Sequence, residues 1–264
     1  MGLRHSEKTA GKGGRVTSMQ HFFVTPEQVE EEEITITGSD VNHIRNVLRM
    51  KKGEQLEISD GNNKKYLCEI REMTADTVQA GILEVYQTDT EPACRTVLFQ
   101  GLPKSDKMDW IVQKAVELGV SEIVPMATRR AVVKLDAKKA KKKTDRWQAI
   151  AESAAKQAGR GVIPEVHDVM SFSEALAFGR TLDHVFIPYE LAEGMEETRK
   201  QLQSLKKGES AGIFIGPEGG FEVEEVEKAA AEAGAAPITL GKRILRTETA
   251  GLFVLSVLSY LMEE

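Results

Sequence analysis

Arg243, Arg246 and Glu248 fall in one short stretch directly ahead of a long apolar run over residues 250–262. Upstream, Gly216-Pro217-Glu218-Gly219-Gly220 follows the apolar Ile213-Phe214-Ile215. Guanidinium groups can hold a developing anion with paired donors, but they cannot accept a proton. Glu218, Glu248 and Glu190 are the carboxylates placed to accept one, although a glutamate near a helix start is equally a partner for the helix dipole. A strand that empties into Gly-Pro-x-Gly-Gly must stop, because proline lacks a ladder donor and glycine permits positive φ and close backbone approach. These residues describe a small-molecule cleft with charges at its rim.

Other chemistries find no support. The glycine cluster has neither the Gly-x-x-x-x-Gly-Lys-Ser/Thr pattern of a phosphate loop nor the Gly-x-Gly-x-x-Gly dinucleotide fingerprint. No Gly-x-Ser-x-Gly elbow exists for a serine hydrolase. The 5 histidines (His5, His21, His43, His167, His184) have no His-x-x-x-His or Cys-x-x-Cys companions, so no metal is expected. The 2 cysteines, Cys68 and Cys94, read as small buried residues in a reducing cytosol, which makes the expected location cytoplasmic.

The elements that must position these groups divide the chain in two. Residues 1–18 lack apolar periodicity and precede Met19; they read as a disordered leader or an alternative start. Residues 19–90 carry short strands around Phe22-Phe23-Val24, Ile34-Thr35-Ile36, 55–59, 66–70 and 78–85. A short helix capped by Ser39 or Asp40 places Val41, Ile44, Val47 and Leu48 at helical spacing, and the whole reads as a small β-barrel. Residues 88–92 make a linker. Residues 91–264 alternate strands with helices, the pattern of an α/β domain on a mainly parallel sheet. Met108, Ile111, Val112, Ala115 and Val116 mark one buried helix face ending at Gly119. Strands are expected at 97–99, 122–125, 165–168, 184–188, 212–215 and 237–240, and the last helix begins near Thr247. Three successive strands then end in unusual loops: Pro188-Tyr189-Glu190, residues 216–220, and residues 241–246. In open α/β sheets the carboxyl ends of strands are where ligands bind.

The chain has 264 residues with a formal net charge of −6, which argues against a nucleic-acid partner, but the distribution does not. Residues 129–146 carry Arg129, Arg130, Lys134, Lys138, Lys139, Lys141, Lys142, Lys143 and Arg146 against only Asp136 and Asp145. Alone, such a run reads more readily as a solvated helix face. The most apolar stretch, residues 250–262, is too short to cross a membrane.

Taken together these motifs closely resemble the RsmE family of 16S ribosomal RNA uridine N3-methyltransferases. The resemblance rests on Gly216-Pro217-Glu218-Gly219-Gly220-Phe221 and Leu240-Gly241-x-Arg243-Ile244-Leu245-Arg246-x-Glu248-Thr249-Ala250. It extends to Gly101-Leu102-Pro103-Lys104-x-Asp106-Lys107-Met108-Asp109, to Arg146-Trp147 and Arg160, and to His43-Ile44-x-x-Val47-Leu48-Arg49-Met50. It implies a SPOUT-type α/β fold with a C-terminal trefoil knot, an N-terminal PUA-like barrel that grips RNA, and a homodimer. It also implies S-adenosylmethionine as methyl donor and 16S rRNA in the small ribosomal subunit as partner. One departure is visible: relatives place an arginine just before the first aromatic pair, where this chain has His21.

On that resemblance the cofactor is expected at Pro188, Tyr189, Glu190, Gly216, Pro217, Glu218, Gly219, Leu240, Gly241, Ile244, Leu245 and Thr249. RNA is expected at His43, Arg45, Arg49, Lys104, Lys107, Arg129, Arg130, Lys134 and Arg160, mostly through phosphates. Arg246, or Arg243, would stabilise the uridine anion, with Glu248, Glu218 or solvent taking the N3 proton. Alternatives are a SPOUT ribose 2′-O-methyltransferase, a non-catalytic RNA-binding assembly factor and, less well supported, a nicotinamide-dependent α/β enzyme.

Overall fold

The computed structural model describes residues 19–192 and 194–262; residues 1–18, read from the sequence as a leader or alternative start, lie outside them. The first five strands are β1 (His21–Phe23), β2 (Glu33–Thr37), β3 (Gln55–Ser59), β4 (Lys64–Met73) and β5 (Thr77–Gln87). They form one sheet in the order β1-β3-β4-β5-β2, with β1 parallel to β3 and the other pairs antiparallel. Alternation puts Ile34, Ile36, Leu56 and Ile58 on the buried face. Two bulges in the β4–β5 ladder bend the sheet, and Val41 and Ile44 complete a single core with it.

The short helix differs from its sequence reading. No side chain caps it; α1 (Ser39–Asn42) follows Gly38, and Asp40 instead reaches the Lys156 ammonium at 3.0 Å. From His43 to Val47 the chain winds as a π-helix, with the Leu48 N–H donating to the His43 carbonyl. The wider turn rotates Val47 out of the apolar stripe, leaving it 61% exposed. Arg49 follows at φ 56°, the left-handed region that non-glycine residues rarely occupy.

The second sheet is parallel throughout. Its strands are β6 (Arg95–Gly101), β7 (Glu122–Ala127), β8 (Glu165–Val166), β9 (Met170–Ser171), β10 (His184–Pro188), β11 (Ser210–Ile215) and β12 (Ala236–Ile238). The helices between and after them are α2 (Lys107–Glu117), α3 (Ala137–Ala158), α4 (Phe172–Gly179), α5 (Met195–Gln203), α6 (Val223–Ala233) and α7 (Thr247–Met262). The order is β12-β10-β11-β6-β7-β8, with β9 also on β7. Both faces are covered, which is why β6 and β11 read as nearly continuous apolar runs. Leu98, Ile123 and Ile213 face a core shared with α2, α3 and α7; Val97, Phe99, Val124 and Phe214 face one shared with α4 and α6. After β11 the chain passes β10 to lay β12 on the far edge, then returns so that α7 packs against β11 and β6. This path is consistent with a C-terminal trefoil knot.

The two sheets are tied through α3. The buried Lys65 ammonium donates to the Gly159 carbonyl at 2.7 Å, at the negative end of that helix dipole. His21 bridges the Lys156 carbonyl and the Ser59 hydroxyl, so the position where an arginine was expected is an inter-sheet contact. Burial is the main reason the His21 imidazole titrates below its ordinary value. Cys68 and Cys94 are free and buried, and burial pushes the Cys68 thiol up to about 12. Among the described residues, no helix is long and apolar enough to cross a membrane.

Candidate active site

Strands β12, β10, β11 and β6 are consecutive neighbours, so the loops at their carboxyl ends lie side by side. Residues 188–190 leave β10, with the Tyr189 N–H donating to the Ile238 carbonyl at the end of β12. Residues 216–220 leave β11 and close a turn through the Gly220 N–H and Pro217 carbonyl, with Gly220 at φ 68°. Residues 240–246 leave β12 with Gly241 at φ 100°, and Ile244 there is 81% exposed. Residues 102–106 leave β6. The glycines are sterically required: a Cβ on Gly216 would lie 2.8 Å from the Gly220 carbonyl carbon, and one on Gly101 would lie 2.8 Å from the Pro217 ring.

The start of α7 is bolted to this cluster. The Thr247 hydroxyl donates to the Gly216 carbonyl, and buried Gln100 donates to both Thr247 and the Gly101 carbonyl. Thr247 was expected near the helix start; here it is the first helical residue, and the Arg246 carbonyl accepts from the Thr249 and Ala250 N–H groups. Arg243, Arg246 and Thr249 are exposed, and Leu240, Gly241 and Leu245 are half-buried.

Charge is concentrated where this loop meets the starts of α2 and α7. Glu218 accepts from the Lys104 backbone N–H at 3.0 Å, and the Lys107 ammonium sits 3.0 Å from Glu218 and 3.2 Å from Glu248. Burial alone would raise the Glu218 carboxyl, but backbone N–H donors and Lys107 outweigh it and hold the group below its usual range. The Glu218 hydrogen bond, ahead of Glu248, raises Lys107. Arg130 grips the same loop from outside, donating to the Gly219 carbonyl and to Glu222, each at 2.8 Å.

Several residues expected at RNA therefore have other partners. Arg160 is the clearest correction. It is 4% exposed and spends its donors on Glu91 and on the Val116 and Val120 carbonyls, leaving no edge for a phosphate. Its partner Glu91 lies in what reads as a linker; that segment is clamped, with Glu91 also accepting the Gly161 N–H. Lys107 and Arg130 point at the loop carboxylates and carbonyl. Arg129 is exposed, 3.6 Å from Glu224. His43, Arg49, Lys104 and Lys134 are exposed and Arg45 is half-buried. In α3, Arg146 pairs with Asp109, to which the buried Trp147 also donates at 3.1 Å.

Away from the loops the structure assembles a group that sequence spacing does not show. Glu122, Glu165 and His167 converge at the opposite ends of β7 and β8, with one candidate ligand atom from each within 4.8 Å of the others. His167 lies 2.8 Å from one Glu122 oxygen and Arg95 holds the other, so ion pairing already accounts for the cluster.

Comparison with known proteins places this geometry. Residues 90–259 match the sequence profile of an RNA methyltransferase domain, and residues 36–83 that of an RNA methyltransferase PUA domain. The chain is 40% identical to the ribosomal RNA small subunit methyltransferase E of Bacillus subtilis (strain 168) over 93% of its own length and 98% of the relative's. The chain belongs to the ribosomal RNA small subunit methyltransferase E family. The family's member from Neisseria gonorrhoeae, solved bound to S-adenosyl methionine, superimposes with a TM-score of 0.79 at 32% identity, covering 92% of this chain and 98% of the other. A further solved structure, described only as a hypothetical protein, reaches a TM-score of 0.86 at 40% identity, covering 92% and 99%.

The Neisseria member holds S-adenosyl methionine. A cofactor of this kind carries a planar base, a ribose and an amino acid, and it needs backbone donors and acceptors at short range beside apolar side chains. Residues 188–190, 216–219 and 240–245 present main-chain groups at adjacent strand ends; a Cβ on Gly216 would press on the Gly220 backbone and one on Gly219 on Arg130, whereas Gly241 has open space around it and is set at φ 100°.

Proposed function

We propose that this chain transfers the methyl group of S-adenosylmethionine to N3 of a uridine in 16S rRNA of the small ribosomal subunit. The observation that carries the reading is the convergence of three glycine- and proline-marked loops at adjacent strand ends, with Arg246 and Glu248 immediately beside them. The bound cofactor supplies an electrophilic methyl group on a sulfonium.

The chain's own residues must then place the uracil and take up its charge. N3 of neutral uracil has no free lone pair, so its proton leaves as the new bond forms and the charge spreads over O2 and O4. Arg246, exposed at the mouth of the loops, is suited to donate to that anion, with Arg243 on the same segment. Positioning carries much of the remaining rate. Glu218 is a poor base, because Lys107 and backbone N–H groups stabilise its ionised form. Glu248 shares that lysine, which leaves solvent as the simplest proton acceptor.

RNA approaches over His43, Arg45, Arg49, Lys104, Arg129 and Lys134. The π-helical turn and left-handed Arg49 push His43, Val47 and Arg49 outward together, as a contact surface requires. The reading also includes a cytoplasmic homodimer. Helix α7 keeps Phe253 39% and Tyr260 82% exposed on an otherwise apolar helix, and Trp110 on α2 is 46% exposed, a surface suited to a second copy.

The test is methyl transfer from labelled cofactor to small subunits and to free rRNA, with the product nucleoside identified by mass. A methylated uracil base supports the proposal; a methylated ribose, or no transfer, overturns it.

A further inference from the structure

We propose that Lys107 is a positioning residue of the methyl-transfer site, joining the methyl-donor loop at Glu218 to the first turn of α7 at Glu248. The inference rests on the function proposed above and replaces the phosphate contact expected for this lysine.

Lys107 opens α2, and its ammonium lies between two carboxylates from elements far apart in the chain. Glu218 is the central residue of the loop after β11; Glu248 lies in the first turn of α7, two residues beyond Arg246. Between them Thr247 holds the Gly216 carbonyl, so any displacement of Glu248 carries Arg246 and the donor loop with it. Oε2 of Glu248 is buried and has no hydrogen-bond partner among the described residues. The Lys107 charge at 3.2 Å is what compensates it.

The same geometry argues against a phosphate at Lys107. A phosphate approaching the ammonium would meet the Glu218 and Glu248 carboxylates at the same point and be repelled by both. Without the lysine, two like charges face each other beside the arginine assigned to the uracil anion. They would push the loop from α7 and attract Arg246 away from its task. Pairs of this exposure contribute little to global stability, so the effect belongs to site geometry.

The test compares Lys107→Met, Lys107→Arg and the charge-balanced Lys107→Met with Glu218→Gln. Three measurements are made on each full-length protein: calorimetry with S-adenosylmethionine, steady-state methyl transfer to small subunits, and the salt dependence of RNA binding. For Lys107→Met, cofactor affinity is expected to fall at least about tenfold and kcat with it. KM for subunits and the salt slope should stay at wild-type values, and Lys107→Arg should retain most activity. In the double variant, removing one of the two facing charges ends their repulsion and is expected to recover part of the lost cofactor affinity. Wild-type cofactor affinity and kcat in Lys107→Met, no recovery in the double variant, or a salt slope reduced by about one unit, as loss of one phosphate contact would give, each overturns the proposal. If the wild type binds cofactor yet transfers no methyl group to uracil, the proposed reaction fails while the affinity comparison still judges Lys107.

Discussion

The Thr247 hydroxyl donates to the Gly216 carbonyl at 2.6 Å while accepting from the buried Gln100 amide at 2.9 Å. One side chain thus fixes the end of β11 to the start of α7. Thr247→Val keeps the shape and removes the hydroxyl, taking this donor from the half-buried Gly216 carbonyl and leaving the buried Gln100 amide with the Gly101 carbonyl alone. The cost should be about 1–3 kcal/mol, read as a lower midpoint in thermal unfolding, and cofactor affinity should fall with it. Thr247→Ser should behave close to wild type; if both variants melt alike, the hydroxyl is not the link.

Gly216→Ala tests the loop from the other side. Its Cβ would press on the Gly220 backbone at 2.8 Å, where no flexible side chain can give way. Calorimetry should find cofactor binding weakened by more than about tenfold, roughly 1.4 kcal/mol, with the two sheets still folded by circular dichroism. Unchanged affinity would mean the loop is not part of the pocket.

Arg246→Ala should lower kcat by about 10²–10³-fold, the range for removing one preorganised donor from a developing anion. Cofactor affinity should change little, because Arg246 is exposed outside the loop turns. Turnover near the wild-type rate removes Arg246 from the chemistry.

Arg160→Ala is a stability variant. It removes the donors that the half-buried Glu91 and the Val120 carbonyl take from the guanidinium, although Glu91 keeps the Gly161 N–H and the Val116 carbonyl keeps the Gly119 N–H, so the loss should be about 1–3 kcal/mol. Chemical denaturation should show that loss, while the salt slope of RNA binding stays unchanged. A stable variant with a reduced slope would restore Arg160 to the RNA surface.

The Glu122–His167 pair gives a pH signature. Its hydrogen bond is the main cause that raises His167 above 6.5 and lowers Glu122 below 4.5. The His167 contribution is complete below 6.5 and is lost as pH rises through the raised value; the Glu122 contribution is complete above 4.5 and is lost as pH falls. Glu165 also favours the charged imidazole, and Arg95 opposes it. His167→Gln should therefore lower the melting temperature more at about pH 5.5 than at about pH 9. A difference that does not vary with pH would show the pair to be unlinked to folding.

Much of the scaffold is legible in residue order, because periodicity and turn chemistry are local. Met108, Ile111, Val112, Ala115 and Val116 all fall on the buried face of α2, and β10 spans residues 184–188 as expected. Residues 216–220 and 241–246 announce themselves by composition alone. The exceptions are local too: the π-helical turn at His43–Val47 breaks the period of 3.6 and turns Val47 outward, which a helical template cannot foresee.

Arginine and lysine partners are another matter. Arg160, Lys107 and Arg130 carry the same formal charge, yet one is buried against carbonyls, one joins two carboxylates and one holds a loop. His167 and Glu122 form a pair although no motif spacing joins them. By itself the sequence determined the two-part architecture of a small barrel and an α/β unit, and the glycine- and proline-marked turns at the strand ends, since each depends on neighbours within a turn or a strand. Only the tertiary structure decided which charges are available to a substrate. Partners such as Lys104 and Glu218 are 114 residues apart, and their meeting depends on how β6, β11 and α7 pack, not on any local pattern.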